Sequence, residues 1–156
     1  MKKIMTLAGM GLLLSLFSLG FTGCVEEAGT QMKTQIITVE PRDWYWNPLY
    51  ERLEAVFDWD QIDQYMYERG GVIAGVYINE RLENGSTMTV LRSLPFVHTY
   101  YDNYNNLIYT RTFGFDVSLP SRPPGQVAFY IQDSDLSDGI IIDGNYQFKV
   151  TIFWED

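Results

Sequence analysis

The chain has 156 residues, of which 20 are acidic and 11 basic, with a formal net charge of −9 and a hydrophobic fraction of 46%. The length suits one folded domain, and the hydrophobic content is typical of globular chains rather than disordered ones. The acidity, without a basic stripe to offset it, argues against nucleic acid as a partner, because phosphate backbones repel carboxylates.

Residues 1–23 have the layout of a secretory signal peptide. Lys2 and Lys3 give a positive start, residues 4–21 are apolar apart from Gly, Ser and Thr, and two small residues precede Cys24. This ending resembles the lipobox of bacterial lipoproteins, in which the thiol accepts a diacylglycerol and the cysteine becomes the mature N-terminus, although Phe21 stands where leucine is usual. Cys24 is therefore the predicted lipidation site. Ordinary secretion and an uncleaved transmembrane anchor are the alternatives.

Cys24 is the only cysteine in the sequence, so the folded part has no internal disulfide and its stability has to come from packing. Residues 24–33 are predicted to be a flexible tether, and residues 34–156 to be the folded domain. The acidic pair Glu26-Glu27 resembles the surface-export signal of lipoproteins in gut-type Gram-negative anaerobes. A solvated tether without an export role is the alternative.

From Thr34 onward, apolar and polar residues alternate with a period of two, which is typical of β-strands with one buried face. The alternation is clearest in Tyr146–Trp154, where a slip of one residue would turn every side chain to the other face. The other predicted strands are Thr34–Val39, Leu53–Phe57, Val72–Ile78, Met88–Leu91, Leu107–Leu119 and Val127–Ile131. We expect Val72–Ile78 to be a central strand covered on both faces, and Leu107–Leu119 to bulge or bend at Gly114.

About seven strands, separated by turn residues and not alternating with helices, predict an all-β fold. The expected architecture is an antiparallel β-sandwich of immunoglobulin-like or jelly-roll-like type. One segment, residues 60–70, has apolar residues at helical spacing instead. It predicts a short helical connector that Asp60 caps and Gly70 ends.

The mature chain also resembles small lipoproteins of gut-type Gram-negative anaerobes that have no assigned activity. The segments that carry the resemblance are Asp43–Trp46, Tyr50–Ala55, Gly70-Gly71, Leu94–Phe96 and Phe148–Ile152. It implies a compact β-sandwich in the cell envelope, anchored by lipid (palmitate among its acyl chains) to the outer membrane and facing the periplasm or the cell surface.

The sequence predicts no catalytic residue and no cofactor. No Gly-x-Ser-x-Gly motif is present, and His98, the only histidine, is expected to be structural. Asp133, Asp135 and Asp138 resemble a calcium loop, but the loop's glycine and its bidentate glutamate are missing. We therefore expect an ordinary acidic turn, with a calcium site as the alternative.

Five aromatic residues are the predicted binding residues: Tyr100, Tyr101, Tyr104, Trp44 and Trp46. Flat rings beside polar side chains suit a glycan or a protein ligand. The alternative is that these rings fill the core or cap the ends of the sandwich. The predicted function is a membrane-anchored binding or adhesion module. A structural subunit of an envelope assembly is the alternative, and a hydrolase is a remote one.

Overall fold

The computed structural model describes residues 29–102, 107–121 and 124–155, so Cys24 and Tyr104 lie outside the described residues. Within these ranges the chain forms nine strands, one short helix and a 3-10 turn at Pro41–Asp43. The strands are β1 (Thr30–Val39), β2 (Tyr45–Asn47), β3 (Arg52–Trp59), β4 (Gly71–Arg81), β5 (Thr87–Ser93), β6 (Phe96–Asp102), β7 (Leu107–Ser118), β8 (Gly125–Asp133) and β9 (Tyr146–Glu155). The helix is α1 (Gln64–Arg69).

The strands form two antiparallel sheets. Sheet A has the order β1-β9-β4-β5, and sheet B has the order β2-β3-β8-β7-β6. The predicted all-β antiparallel sandwich is confirmed, with nine strands in place of about seven. The two additions are β2, which has only three residues, and β6, which begins directly after a proline.

The core lies between the inner faces of the two sheets. Phe129 of β8 stacks on Phe148 of β9 with ring centroids 4.0 Å apart, and both side chains are fully buried. The other large side chains that are fully buried are Phe113, Ile62, Ile131, Ile152, Val39, Val76, Val127 and Val150. Burial of each such side chain stabilises the folded state by roughly 1.5–3 kcal/mol. The stability of this disulfide-free domain thus comes from alternate residues of its central strands.

Sheet A differs from the sequence-based expectation in two places. First, β1 begins at Thr30, so residues 30–33, the end of the predicted tether, pair with β9. Second, β4 is central in its sheet, but its outer face is not covered, since the Ile73 side chain is 59% exposed. The expectation that this strand is covered on both faces was wrong, because no layer of the described chain lies on the outside of sheet A.

The predicted helical connector is present, but it begins later than expected. Asp63, and not Asp60, caps α1: its Oδ1 accepts a hydrogen bond of 2.8 Å from the backbone N–H of Met66. Gly70 ends the helix as predicted, and its N–H donates to the Met66 carbonyl. No helix in the described ranges is long and apolar enough to cross a membrane.

Gly114 does not form the expected bulge, because the pairing of β7 with β8 runs through it without a shift in register. Its role is steric. The ring of Tyr130, on the neighbouring strand, lies directly over Gly114, and a Cβ added there would come within 2.2 Å of the ring carbon Cζ. Only glycine leaves room for this ring.

We predict that Gly114→Ala lowers the free energy of unfolding by about 1–3 kcal/mol, the usual cost of overpacking, because the ring has to move. Gly144→Ala is the matched control, since a Cβ there meets nothing within 4 Å. Its effect should stay within about 0.5 kcal/mol. Urea unfolding of both variants measures the difference. Equal midpoints would show that Tyr130 does not need the space above Gly114.

Candidate functional site

The structure does not gather the predicted binding residues into one patch. Tyr100 and Tyr101 are adjacent on β6, so they point to opposite faces of sheet B. Tyr100 points between the sheets and is half-buried, whereas Tyr101 points outward and is 56% exposed. Tyr104 is not among the described residues.

The two tryptophans pack against the core. Trp44 lies edge-on to Tyr146 and Phe148, with ring centroids 6.2 and 6.3 Å apart. Trp46 pairs with Leu53 across β2 and β3 and also packs on the buried cluster. Both tryptophans therefore pack on the core, as the alternative expected.

The inner face of β6 carries a row of three rings. Phe96, His98 and Tyr100 are alternate residues of the strand, so their side chains point the same way. Ring centroids are 6.1 Å apart between Phe96 and His98, and 4.6 Å apart between His98 and Tyr100. From the sequence, only Tyr100 of this row was predicted as a binding residue, and His98 was expected to be structural. The period of two across residues 96–100 was the signal that could have found all three.

This row forms one wall of a cleft of about 700 Å³ between the two sheets. The opposite wall comes from the β4–β5 hairpin and includes Ile78, Glu80 and Arg92, while Phe113 lies deeper. The cleft exists because β5 and β6 are the last strands of their respective sheets. Their edges therefore stand side by side, with no further strand of the described chain to cover them.

The hairpin wall carries a pair of opposite charges. The guanidinium of Arg92 donates through its Nη2 to Oε1 of Glu80, and its carbon lies 5.6 Å from the centroid of the Phe96 ring. The Nε of Arg92 is buried and has no hydrogen-bond partner in the described part of the chain. A buried donor without a partner costs stability.

Behind the ring row lies a second charged pair. Arg111 donates to both carboxylate oxygens of Asp133, at 2.7 and 2.8 Å, and its guanidinium carbon is 5.3 Å from the Tyr100 ring. The hydrogen bonds to Asp133 raise the pKa of Arg111. Burial raises the pKa of Tyr100, which also stacks on Tyr109 at 5.4 Å. The phenol of Tyr100 therefore stays protonated and able to donate at neutral pH.

The three aspartates of the calcium alternative do not converge. Asp133 is turned inward and bonded to Arg111, while Asp135 accepts from the backbone N–H of Ser137 at 3.1 Å. Asp138 is exposed. No group of three or more potential ligands for a metal ion is found among the residues that the structure describes.

A further charged cluster lies on the outer face of sheet B and was not predicted. Arg52 bonds to Glu54 and Asp116 at 2.7 and 2.6 Å, and it lies 4.1 Å from the centroid of the Tyr130 ring. Asn47 donates to the other oxygen of Glu54 at 2.8 Å. Because these groups satisfy one another, the cluster serves to join β2, β3 and β7 and offers little to a ligand.

Comparison with known proteins finds no matching family model, no matching curated protein and no matching solved structure. The resemblance to envelope lipoproteins therefore stays a prediction.

We predict that Asp133→Asn lowers the free energy of unfolding by about 3 kcal/mol, because it leaves the largely buried guanidinium of Arg111 without its counter-charge. Asp138→Asn, on the exposed turn, should change it by no more than about 0.5 kcal/mol. Thermal unfolding with and without calcium tests both variants. A calcium-dependent rise in melting temperature that Asp133→Asn abolishes would support the calcium alternative instead.

Proposed function

We propose that the protein is a lipid-anchored envelope protein whose sandwich is a binding module, and that the cleft between β6 and the β4–β5 hairpin takes a glycan. The observation that carries the proposal is the row of Phe96, His98 and Tyr100 facing the pair Glu80–Arg92. Aromatic faces and convergent polar groups in one concave site are the usual elements of a ligand pocket.

The chemistry of the two walls suits a sugar. The C–H faces of a pyranose ring stack on aromatic rings, while its hydroxyl groups need donors and acceptors at the rim. Glu80 supplies acceptors, and Arg92, whose side chain is 41% exposed, supplies donors. The protonated phenol of Tyr100 supplies both. The volume of about 700 Å³ is in the usual range of roughly 300–1,000 Å³ for small-molecule sites.

The position of the cleft also leaves it clear of the tether. The proposed anchor, Cys24, lies six residues before Thr30, where β1 begins. Gly71, the first residue of β4, pairs with Phe153 at this same end of sheet A. Glu80 lies near the other end of β4, nine residues and roughly 30 Å further along the strand. The cleft is therefore in the half of the sandwich away from the anchor.

A structural subunit of an envelope assembly is the second candidate function. The observation that favours it is β1, an edge strand of ten residues without proline, whose outer edge lies beside no other strand of the described chain. Such an edge can pair with a strand of another molecule. A hydrolase gains less support, because Glu80 is the single carboxylate in the described lining of the cleft.

The anchor predicts that Cys24→Ser abolishes lipidation, because serine lacks the nucleophilic thiol. The variant should accumulate as an unprocessed precursor or be released from membranes. Membrane fractionation and mass spectrometry of the mature N-terminus measure the two effects. Normal processing with unchanged membrane retention would contradict the lipid anchor.

The cleft predicts that Tyr100→Ala weakens glycan binding by at least about tenfold, equivalent to 1.4 kcal/mol, because one stacking face is lost. Tyr101→Ala is the matched control, since the same residue type is removed from the next position on the opposite face. Binding of the detergent-solubilised protein to a glycan array, followed by titration of the best ligand, measures the effect.

Glu80→Gln tests the polar wall without removing side-chain volume, and it should also weaken binding while thermal stability changes little. A loss of binding for Tyr101→Ala without a loss for Tyr100→Ala would place the site on the outside of sheet B rather than in the cleft. Failure of every glycan to bind the parent protein would exclude a glycan as the ligand.

A further inference from the structure

The outer face of sheet A carries a group of exposed apolar side chains. In all four strands the residues that face away from the core alternate with those that face it. Among the outward residues are Met32, Ile36, Ile73, Leu91 and Phe153, with exposed fractions from 36% to 68%. The outer face of sheet B also exposes Val56, Val97 and Ile108, so the two faces are distinguished by their charges rather than by apolar exposure alone.

The charges on this face are unlike those of the rest of the chain. The sequence contains 20 acidic residues, yet Glu155, at the very end of β9, is the only one at an outward position of these four strands. The basic residues at outward positions are Lys149 and Arg81. The outer face of sheet B, in contrast, carries Glu54, Asp58 and Asp116. The apolar face of an acidic protein is thus nearly free of negative charge.

A cavity also opens on this face beside the end of β5. Gly75 has no side chain, and the side chain of Leu91 lies across it, 2.9 Å from where a Cβ would be. The cavity has a volume of about 380 Å³, and its lining includes Ile73, Leu91 and Lys149 of the outer face together with Val72, Leu94 and Phe115, which lie toward the core. An apolar depression with a lysine in its lining can receive groups that are apolar on one side and anionic on the other.

The tether joins this same sheet. β1 is an edge strand of sheet A, and its first residue, Thr30, follows Cys24 by six positions. Six fully extended residues reach at most about 20 Å. A lipid on Cys24 would therefore hold the start of sheet A within about 20 Å of the bilayer surface, with Met32 and Phe153 paired across β1 and β9 close by.

We infer that the outer face of sheet A lies against the phospholipid bilayer in which Cys24 is anchored. Ile73, Leu91 and their apolar neighbours enter the interfacial region, and Lys149 reaches the headgroup phosphates. The inference rests on the lipid anchor proposed above and does not depend on the ligand of the cleft. In this orientation the outer face of sheet B points toward the solvent.

Labelling at single cysteines tests this orientation. Because Cys24 is the only cysteine and the lipid occupies its thiol, Ile73→Cys introduces one reactive thiol on the outer face of sheet A. Ile108→Cys does the same on the outer face of sheet B, where the residue is 67% exposed. Each lipidated protein is labelled with nitrobenzoxadiazole and reconstituted into phosphatidylcholine–phosphatidylglycerol vesicles, with and without doxyl-labelled lipids.

We expect a blue shift of the label emission and quenching by doxyl lipids at Ile73→Cys, and neither change at Ile108→Cys. Co-flotation of both proteins with the vesicles reports on the anchor separately. Flotation without quenching at Ile73→Cys, or with equal quenching at both positions, would overturn the inference and leave the anchor intact. Absence of flotation would overturn both.

Self-association is the remaining outcome, since a second copy could cover the same face. The Ile73→Cys label would then shift its emission as the protein-to-lipid ratio rises, without quenching by doxyl lipids. This result would overturn the bilayer contact and assign the face to an interface between copies. The unfolding midpoints of both cysteine variants are measured as a control. If they equal that of the parent protein, misfolding is excluded as the cause of any change in label emission or quenching.

Discussion

The contact between Phe129 and Phe148 is the centre of the fold, because it joins the middle of one sheet to the middle of the other. Each ring belongs to a strand whose alternate residues are buried, so the contact also fixes which face of β8 and β9 points inward. Strands further from this contact are less well covered. The outermost pair, β5 and β6, is separated by enough space to leave the cleft that forms the candidate site.

Much of the fold could be predicted from the sequence, because burial on one face imposes a period of two that can be counted. Tyr146–Trp154 and Val127–Ile131 show it most clearly, and both are central strands. The helix start was missed because Asp60 and Asp63 are both good capping residues. The choice between them depends on how the preceding turn leaves β3 and not on local propensity.

The candidate site was harder to predict. The period of two should have separated Tyr100 from Tyr101, since neighbours in a strand cannot share a face. The pairing of Glu80 with Arg92 depends on the hairpin register around Asn84-Gly85, which carries a recognisable turn signal. The contact of Arg111 with Asp133, in contrast, depends on which distant strands become neighbours, and no local pattern determines this.

The antiparallel pairing of β1 with β9 has a mechanical consequence. Under the proposed anchoring, the tether leaves from the Thr30 end of β1, whereas the cleft lies toward the opposite end of the sandwich. A pull on the tether in the plane of the membrane, against a ligand held in the cleft, would then run along the strands. Such a load shears all ten residue pairs of β1 and β9 at once and does not peel them apart one by one. The edge strand that holds the tether is therefore loaded in its most resistant direction.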